Sequence, residues 1–179
     1  MRIMGVSGLP GSGKSFISDI ACEKGAIMVS MGDIIREEAK KRGEPSKETA
    51  KNLRKEFGNE IVAELTIKKI KKLLEEGIDS SIIVDGIRSH HEVKLFRENF
   101  EDFIIVSVFA NSKIRFERIK ARNREDDTDD YAVFEERDEN ELGFGIGNVI
   151  SLSDKLLINE SDLDSYIEKI HNFLEEYGV

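Results

Sequence analysis

Residues with the spacing G-x-x-x-x-G-K-[ST] lie close to the amino terminus, at Gly8, Leu9, Pro10, Gly11, Ser12, Gly13, Lys14 and Ser15. They follow the apolar residues 3–6 and precede a segment with helical spacing, which is the context that this motif requires. Glycines allow consecutive amides, those of Gly11, Ser12 and Gly13 among them, to point inward at phosphate oxygens. An ordinary tight turn is the alternative. We expect these eight residues, together with Phe16, to bind a nucleoside triphosphate.

The last two residues of the motif have defined roles in phosphate chemistry. Lys14 would reach the β and γ phosphates, and the Ser15 hydroxyl would ligate Mg²⁺. Asp85 ends the apolar residues 82–84 and is placed to hold Mg²⁺ through water. The predicted cofactors are therefore ATP and Mg²⁺, with Ser15 and Asp85 as the metal-binding residues.

Arginines near predicted strand ends form two groups. The first group holds Arg36, three residues after Asp33, and Arg88; the second holds Arg118, Arg122, Arg124 and Arg137. Phosphoryl transfer needs several fixed cations, because charge spreads over the transferring oxygens. The planar, permanently charged guanidinium suits this role. A single surface arginine would more often form an ion pair, but these groups accompany a phosphate motif and favour phosphoryl transfer.

Short apolar runs predict the elements that position these residues. They occupy residues 3–6, 26–29, 82–84, 103–109 and 156–158, and segments with helical spacing separate them. Strands that are apolar on both faces indicate a parallel sheet covered by helices. We therefore predict an α/β fold with a five-stranded parallel sheet. Capping boxes at Ser89 with Glu92 and at Ser161 with Asp164 predict two helix starts.

Two intervals are longer than simple crossover connections. Residues 32–77 hold two or three charged helices, and residues 122–147 combine a polar stretch with a charged helix. Insertions on an α/β core lie beyond the carboxyl ends of the strands, where ligands bind. We predict one domain, residues 1–179, with an acceptor-binding insert at 32–77 and a short lid at 122–147.

Composition excludes several classes of protein. The 36 Asp and Glu residues exceed the 27 Lys and Arg residues, and the net charge of −9 disfavours nonspecific binding to nucleic acid. The single cysteine excludes an intramolecular disulfide. The longest apolar run, residues 103–110, is too short to cross a bilayer, and the amino terminus lacks the apolar region of a signal peptide. We expect a cytoplasmic protein that acts on a small molecule.

These motifs resemble those of the nucleoside monophosphate kinases, adenylate kinase above all. The resemblance rests on GLPGSGKS as the glycine loop, GDIIR, RIKAR, and REDD followed by Arg137, in that order over residues 1 to about 140. The whole chain, including DGIRS, FEERDENEL and GIGNVI, resembles a family of archaeal P-loop proteins described as adenylate-kinase-related or dephospho-coenzyme A kinase-like.

The resemblance implies a role for each arginine. Arg36 would bind the acceptor phosphate, assisted by Asp33 and Asp85, and Arg118 would lie against the donor base. Lys14 and three lid arginines, Arg122, Arg124 and Arg137, would act on the transferring phosphoryl group. Asp126 and Asp127 would orient these lid arginines. Adenylate kinases read Asp-Gly-x-Pro-Arg where this chain has DGIR, which brings Arg88, a predicted acceptor ligand, one residue closer. Their loop commonly ends Gly-Lys-Gly rather than Gly-Lys-Ser, so an acceptor other than AMP stays open.

Two functions fit these residues. The first is an ATP-dependent kinase for a nucleotide-like phosphorylated acceptor, of the nucleoside monophosphate or dephospho-coenzyme A type. The second is an NTPase whose hydrolysis cycle regulates a protein or RNA partner. The sequence leaves the acceptor, the donor base and the oligomeric state open.

Overall fold

Five parallel strands form one sheet in the computed structural model, which describes residues 2–122 and 127–179. The strands are β1 (Ile3–Ser7), β2 (Ile27–Ser30), β3 (Ile82–Asp85), β4 (Ile104–Phe109) and β5 (Lys155–Ile158). Their order across the sheet is β2-β3-β1-β4-β5, and each neighbouring pair is parallel. This arrangement confirms the predicted fold class. Because the strands are parallel, Ser7, Ser30 and Asp85 meet at the same edge.

Helices cover both faces of the sheet. In the described ranges they are α1 (Ser15–Glu23), α2 (Met31–Arg42), α3 (Ser46–Phe57), α4 (Ile61–Glu75), α5 (His90–Asn99), α6 (Ser112–Arg122), α7 (Tyr131–Gly143), α8 (Ile146–Ser151) and α9 (Leu163–Glu176). One face buries apolar side chains of α4, α5 and α8, and the other buries those of α1 and α9. Among the described residues, no helix has the length and apolar character needed to cross a membrane.

The long interval after β2 holds three helices with different roles. The last of them, α4, buries Val62, Ala63, Ile67 and Ile70 in the core, so it is the crossover helix that returns the chain to β3. The first two, α2 and α3, pack against one another, and α2 begins at the carboxyl edge of the sheet directly after β2. Within residues 32–77, α2 and α3 are therefore the part available to cover a ligand.

Two helix starts were predicted from capping boxes, and one of them is correct. At α5 the Ser89 hydroxyl accepts from the Glu92 amide at 3.2 Å while the Glu92 carboxylate accepts from the Ser89 amide at 3.0 Å, which confirms the box. The prediction for Ser161 and Asp164 is wrong. Asp162 caps α9 instead, and its carboxylate accepts from the amide and the hydroxyl of Ser165. The Asp162 carboxylate, one residue after Ser161, caps the helix in place of the Ser161 hydroxyl, so α9 begins one residue later than predicted.

A buried ion pair fastens α7 to α6. Arg115, 3% exposed, donates from Nη1 to Asp138 Oδ1 at 2.8 Å, and its guanidinium lies 5.1 Å from the centre of the Phe134 ring. Phe134 is itself buried and packs against Phe116. The position of α7, which carries Arg137, is thus set by contacts with α6.

We expect Asp138→Asn to lower the free energy of unfolding by about 3 kcal/mol, because it leaves the buried Arg115 guanidinium without its counter-charge. Urea denaturation monitored by circular dichroism measures the loss. Glu176→Gln, which removes an exposed ion pair with Lys155, is the control and should change stability far less. Equal losses in the two variants would contradict a buried pair at Asp138.

Candidate functional site

The predicted site residues line one cavity of about 880 Å³ at the carboxyl edge of the sheet. Those that line it are Gly8, Leu9, Pro10, Gly11, Ser12, Gly13, Lys14, Ser15, Phe16, Arg36, Asp85, Arg88, Arg118, Arg122 and Arg137. Asp33 does not line the cavity, although its carboxylate accepts from Arg36 Nε at 2.9 Å. Arg124 and Asp126 lie outside the described residues. The topology therefore brings described members of both arginine groups to the phosphate motif, namely Arg36, Arg88, Arg118, Arg122 and Arg137.

The glycine loop adopts backbone conformations that other residues rarely take. Gly11 has φ +79° and Gly13 has φ +91°. A Cβ atom on Gly11 would also come within 2.8 Å of the Arg115 carbonyl oxygen. The Ser12 amide donates to the Leu9 carbonyl at 3.1 Å, so the prediction that this amide points inward at phosphates is wrong. It closes a turn instead.

Other amides of the loop are available to a ligand. In the described part of the chain, those of Gly11, Gly13, Lys14 and Ser15 make no backbone hydrogen bond. Helix α1 begins at Ser15, so these amides lie at its positive end. A concave run of free amides at a helix start binds phosphate groups.

Lys14 and Asp85 face one another across the loop. Their Nζ and Oδ1 atoms are 3.2 Å apart, and their side chains are 31% and 26% exposed. Both therefore remain reachable from the cavity. The described residues contain no group of three or more side chains able to hold a metal ion. Mg²⁺ needs only one or two protein oxygens when phosphates and waters complete its octahedron, so Asp85 and the exposed Ser15 hydroxyl fit it.

Arg36 and Arg88 line the cavity on the side of α2. The Arg36 side chain is 62% exposed despite its contact with Asp33. Arg88 lies 3.4 Å from a Glu141 carboxylate oxygen, and its guanidinium is 5.7 Å from the centre of the Phe144 ring. The Arg54 guanidinium, from α3, is 5.5 Å from the same ring. Phe144 thus links the helix pair α2–α3 to the end of α7.

Buried and half-buried charges lie beneath Arg88. Glu92 is 6% exposed, and burial raises the pKa of its carboxyl group, although hydrogen bonds from the amides of Arg88 and Ser89 act in the opposite direction. Burial is also the main cause of the lowered pKa of Arg54, to which the positive charge of Arg88 contributes. The Glu92 carboxylate accepts from the Arg88 amide at 2.8 Å and so holds the Arg88 backbone in place at the edge of the cavity.

Arg118 and Arg122 lie on the opposite side of the cavity, on α6. Arg118 donates from Nη2 to the backbone oxygen of Asn159 at 3.0 Å and to its Oδ1 at 3.2 Å. Arg122 donates from Nε to the Asp127 carboxylate at 2.8 Å and from Nη2 at 2.7 Å. Asp127 thus orients one of the arginines that the resemblance assigns to the lid.

Three residues that sequence reasoning missed contact the glycine loop from outside the motif. Arg115 Nη1 donates to the Pro10 carbonyl at 3.1 Å, Asn159 Nδ2 donates to the Ser12 carbonyl at 2.8 Å, and the Tyr166 hydroxyl donates to the Gly13 carbonyl at 3.1 Å. Burial raises the pKa of the Tyr166 hydroxyl, which keeps it protonated as a donor. Asn159 follows β5 directly, and that position at the carboxyl edge was the one available signal.

The arrangement can hold a polyphosphate and stabilise negative charge that develops on it. Amides and Lys14 supply fixed positive charge at the loop, and arginines approach from two sides. Fixed donors in a cleft shielded from water stabilise a transferring phosphoryl group without reorganising during the reaction.

Comparisons with known proteins fit this geometry. Residues 7–135 match the family model described as an AAA domain. The UPF0200 protein of Methanothermobacter thermautotrophicus is 47% identical over 163 residues, which cover 91% of this chain and 84% of that protein. The UPF0200 protein of Thermococcus sibiricus is 43% identical over 184 residues, with 99% and 96% covered. The chain carries an AAA domain and belongs to the UPF0200 family.

Solved structures resemble this UPF0200 family member over its whole length. Shikimate kinase from Aquifex aeolicus gives a TM-score of 0.57 at 13% identity, with 99% of each chain covered. TT1252 from Thermus thermophilus gives a TM-score of 0.67 at 14% identity, with 98% of this chain and 97% of that chain covered. At these identities the likeness concerns the fold alone, a P-loop kinase-like fold.

The buried Glu92 carboxyl generates a pH-dependent prediction. The pKa of this carboxyl group in the folded state is raised above the ordinary value of 4.5. Its contribution to the free energy of unfolding is therefore most favourable below pH 4.5 and is lost as pH rises through the folded pKa. Both amides donate to a single oxygen, Oε2, which glutamine also provides. We expect Glu92→Gln to gain stability relative to the original protein as pH rises above 4.5, the ordinary pKa of the carboxyl group.

Urea denaturation at a series of pH values measures this difference. Glu98→Gln, an exposed substitution on the same helix, controls for the loss of one carboxylate. A Glu92→Gln curve parallel to that of the original protein over the whole range would contradict the raised pKa.

Proposed function

We propose that the protein is an ATP-dependent kinase that transfers the γ-phosphoryl group of Mg-ATP to a small, nucleotide-like phosphorylated acceptor. Nucleoside monophosphates and dephospho-coenzyme A represent the class. The observation that carries the proposal is the presence of two arginine groups on opposite sides of one phosphate loop, within one cavity. A site that only hydrolyses a triphosphate does not need a second set of cations for an acceptor.

In this proposal the chain is one kinase domain with two covers. Helices α2 and α3, within residues 32–77, would cover the acceptor, and residues 122–147 would form the lid over the donor. Exclusion of water by these covers would favour transfer to the acceptor over hydrolysis. The name of the solved neighbour, shikimate kinase, is that of a small-molecule kinase and accords with this reading.

Each residue has a role in the proposed transfer. Lys14 and the loop amides would hold the donor phosphates, and Arg118 would contact the donor base. Arg36 and Arg88, with Asp33 orienting Arg36, would hold the acceptor phosphate. Arg122, Arg124 and Arg137 would stabilise charge on the transferring group. Mg²⁺ held near Ser15 and Asp85 would neutralise charge on the β and γ oxygens.

Transfer of labelled phosphate tests the proposal directly. Protein with Mg²⁺ and γ-labelled ATP is offered nucleoside monophosphates, dephospho-coenzyme A and other phosphorylated metabolites. We expect label on an acceptor at a rate well above phosphate release. Steady phosphate release with no labelled acceptor would favour the NTPase that regulates a partner.

The variant Arg36→Ala separates the two functions. A charge-assisted hydrogen bond to the acceptor phosphate is lost, so we expect acceptor KM to rise roughly tenfold or more. Affinity for ATP should not change. Arg42→Ala, on the same helix but outside the cavity lining, is the matched control. Unchanged acceptor kinetics in Arg36→Ala would remove Arg36 from the acceptor site.

A further inference from the structure

Side chains outside the motif hold three carbonyl groups of the glycine loop. Pro10 oxygen accepts from Arg115, Ser12 oxygen accepts from Asn159, and Gly13 oxygen accepts from Tyr166. The donors belong to α6, to the residue after β5, and to α9. They are 3%, 4% and 0% exposed respectively, so their side chains are fixed by the surrounding core.

The direction of a carbonyl determines the direction of the next amide. The described chain has no cis peptide bond, and in a trans peptide the C=O and the following N–H point in opposite directions. The held carbonyls of Pro10, Ser12 and Gly13 therefore direct the amides of the residues that follow them, which are Gly11, Gly13 and Lys14. These amides make no backbone hydrogen bond in the described residues, and all three residues line the cavity.

Glycines would otherwise make this loop conformationally diverse. A glycine populates positive and negative φ almost equally, so a loop with three of them has many accessible amide directions. Ordering such a loop when the ligand arrives would reduce affinity, whereas a loop ordered beforehand avoids that cost. Asn159 also lies so close to Gly13 that a Cβ on Gly13 would collide with Asn159 Nδ2. This position of the loop therefore requires glycine.

We propose that Arg115, Asn159 and Tyr166 are positioning residues that fix three loop amides toward the phosphates before a ligand binds. The inference deepens the proposed function, because it rests on polyphosphate binding at this loop. It does not depend on the acceptor or on transfer. Asn159 also holds Arg118, so one side chain sets both the phosphate loop and the predicted contact with the donor base.

Two neutral substitutions test the inference without adding charge near the phosphates. Tyr166→Phe removes the hydroxyl and keeps the ring, and Asn159→Leu removes the amide and keeps the branching of the side chain at Cγ. Tyr177→Phe on the end segment after α9 and Asn99→Leu on the surface of α5 are the matched controls, since neither contacts the loop. Arg115 is left intact, because its replacement would also break the pair with Asp138.

Calorimetric titration with inorganic tripolyphosphate and Mg²⁺ gives Kd and stoichiometry for each protein. Tripolyphosphate has no base, so the contact of Arg118 does not enter the measurement. We expect each test variant to bind roughly three- to tenfold more weakly, with full stoichiometry and with the controls unchanged. The amide chemical shifts of Gly13 in Asn159→Leu and of Lys14 in Tyr166→Phe should also differ from those of the original protein before ligand is added.

Each other outcome has a defined meaning. Unchanged Kd in both test variants would overturn the inference, and so would a loss of stoichiometry at unchanged Kd, which indicates fewer folded molecules rather than a misdirected loop. Weakening in the controls as well would also overturn it. If the original protein binds tripolyphosphate but labels no acceptor, the kinase proposal fails while this inference stands. If it binds no tripolyphosphate, both fail.

Discussion

A carbonyl group that is partly or fully withdrawn from water needs a hydrogen-bond donor, and this requirement governs the glycine loop. The loop turns sharply between β1 and α1. In the described residues the carbonyls of Pro10 and Ser12 accept from no backbone amide, whereas the carbonyl of Gly13 accepts from the Phe16 amide at 3.2 Å. Arginine, asparagine and tyrosine side chains supply donors from three separate elements. The phosphate motif is therefore completed by residues that share no sequence pattern with it.

Several cationic side chains of the cavity form ion pairs with nearby carboxylates. Cations at its edge lie beside carboxylates: Lys14 beside Asp85, Arg36 beside Asp33, Arg88 beside Glu141 and Arg122 beside Asp127. Where both side chains are well exposed, as in the pair of Arg36 with Asp33, the contact contributes little to stability, so an anionic ligand can replace the carboxylate at small cost. A chain with a net charge of −9 can thus keep a strongly cationic site without attracting polyanions over its whole surface.

Sequence alone predicted the features that depend on local pattern. Apolar runs located the strands, and the glycine motif located the carboxyl edge at which Arg36, Arg88, Arg118, Arg122 and Arg137 meet. Contacts between distant residues could not be predicted in this way. Asn159 and Tyr166 read as ordinary strand-end and core residues, because their partners are backbone carbonyls, which have no signature in the sequence. The direction of the Ser12 amide could not be predicted for a related reason, because this amide donates to the Leu9 carbonyl in a turn within the motif.

The span of these contacts has a consequence for biosynthesis. Asn159 lies 147 positions after Ser12, and Tyr166 lies 153 positions after Gly13. A chain emerging from the ribosome therefore presents the whole motif long before the residues that orient it have been translated. Under the inference above, the loop would reach its full affinity for polyphosphate only after the carboxyl-terminal helix has docked. A nascent or truncated chain that lacks these residues would accordingly bind polyphosphate more weakly than the folded molecule does.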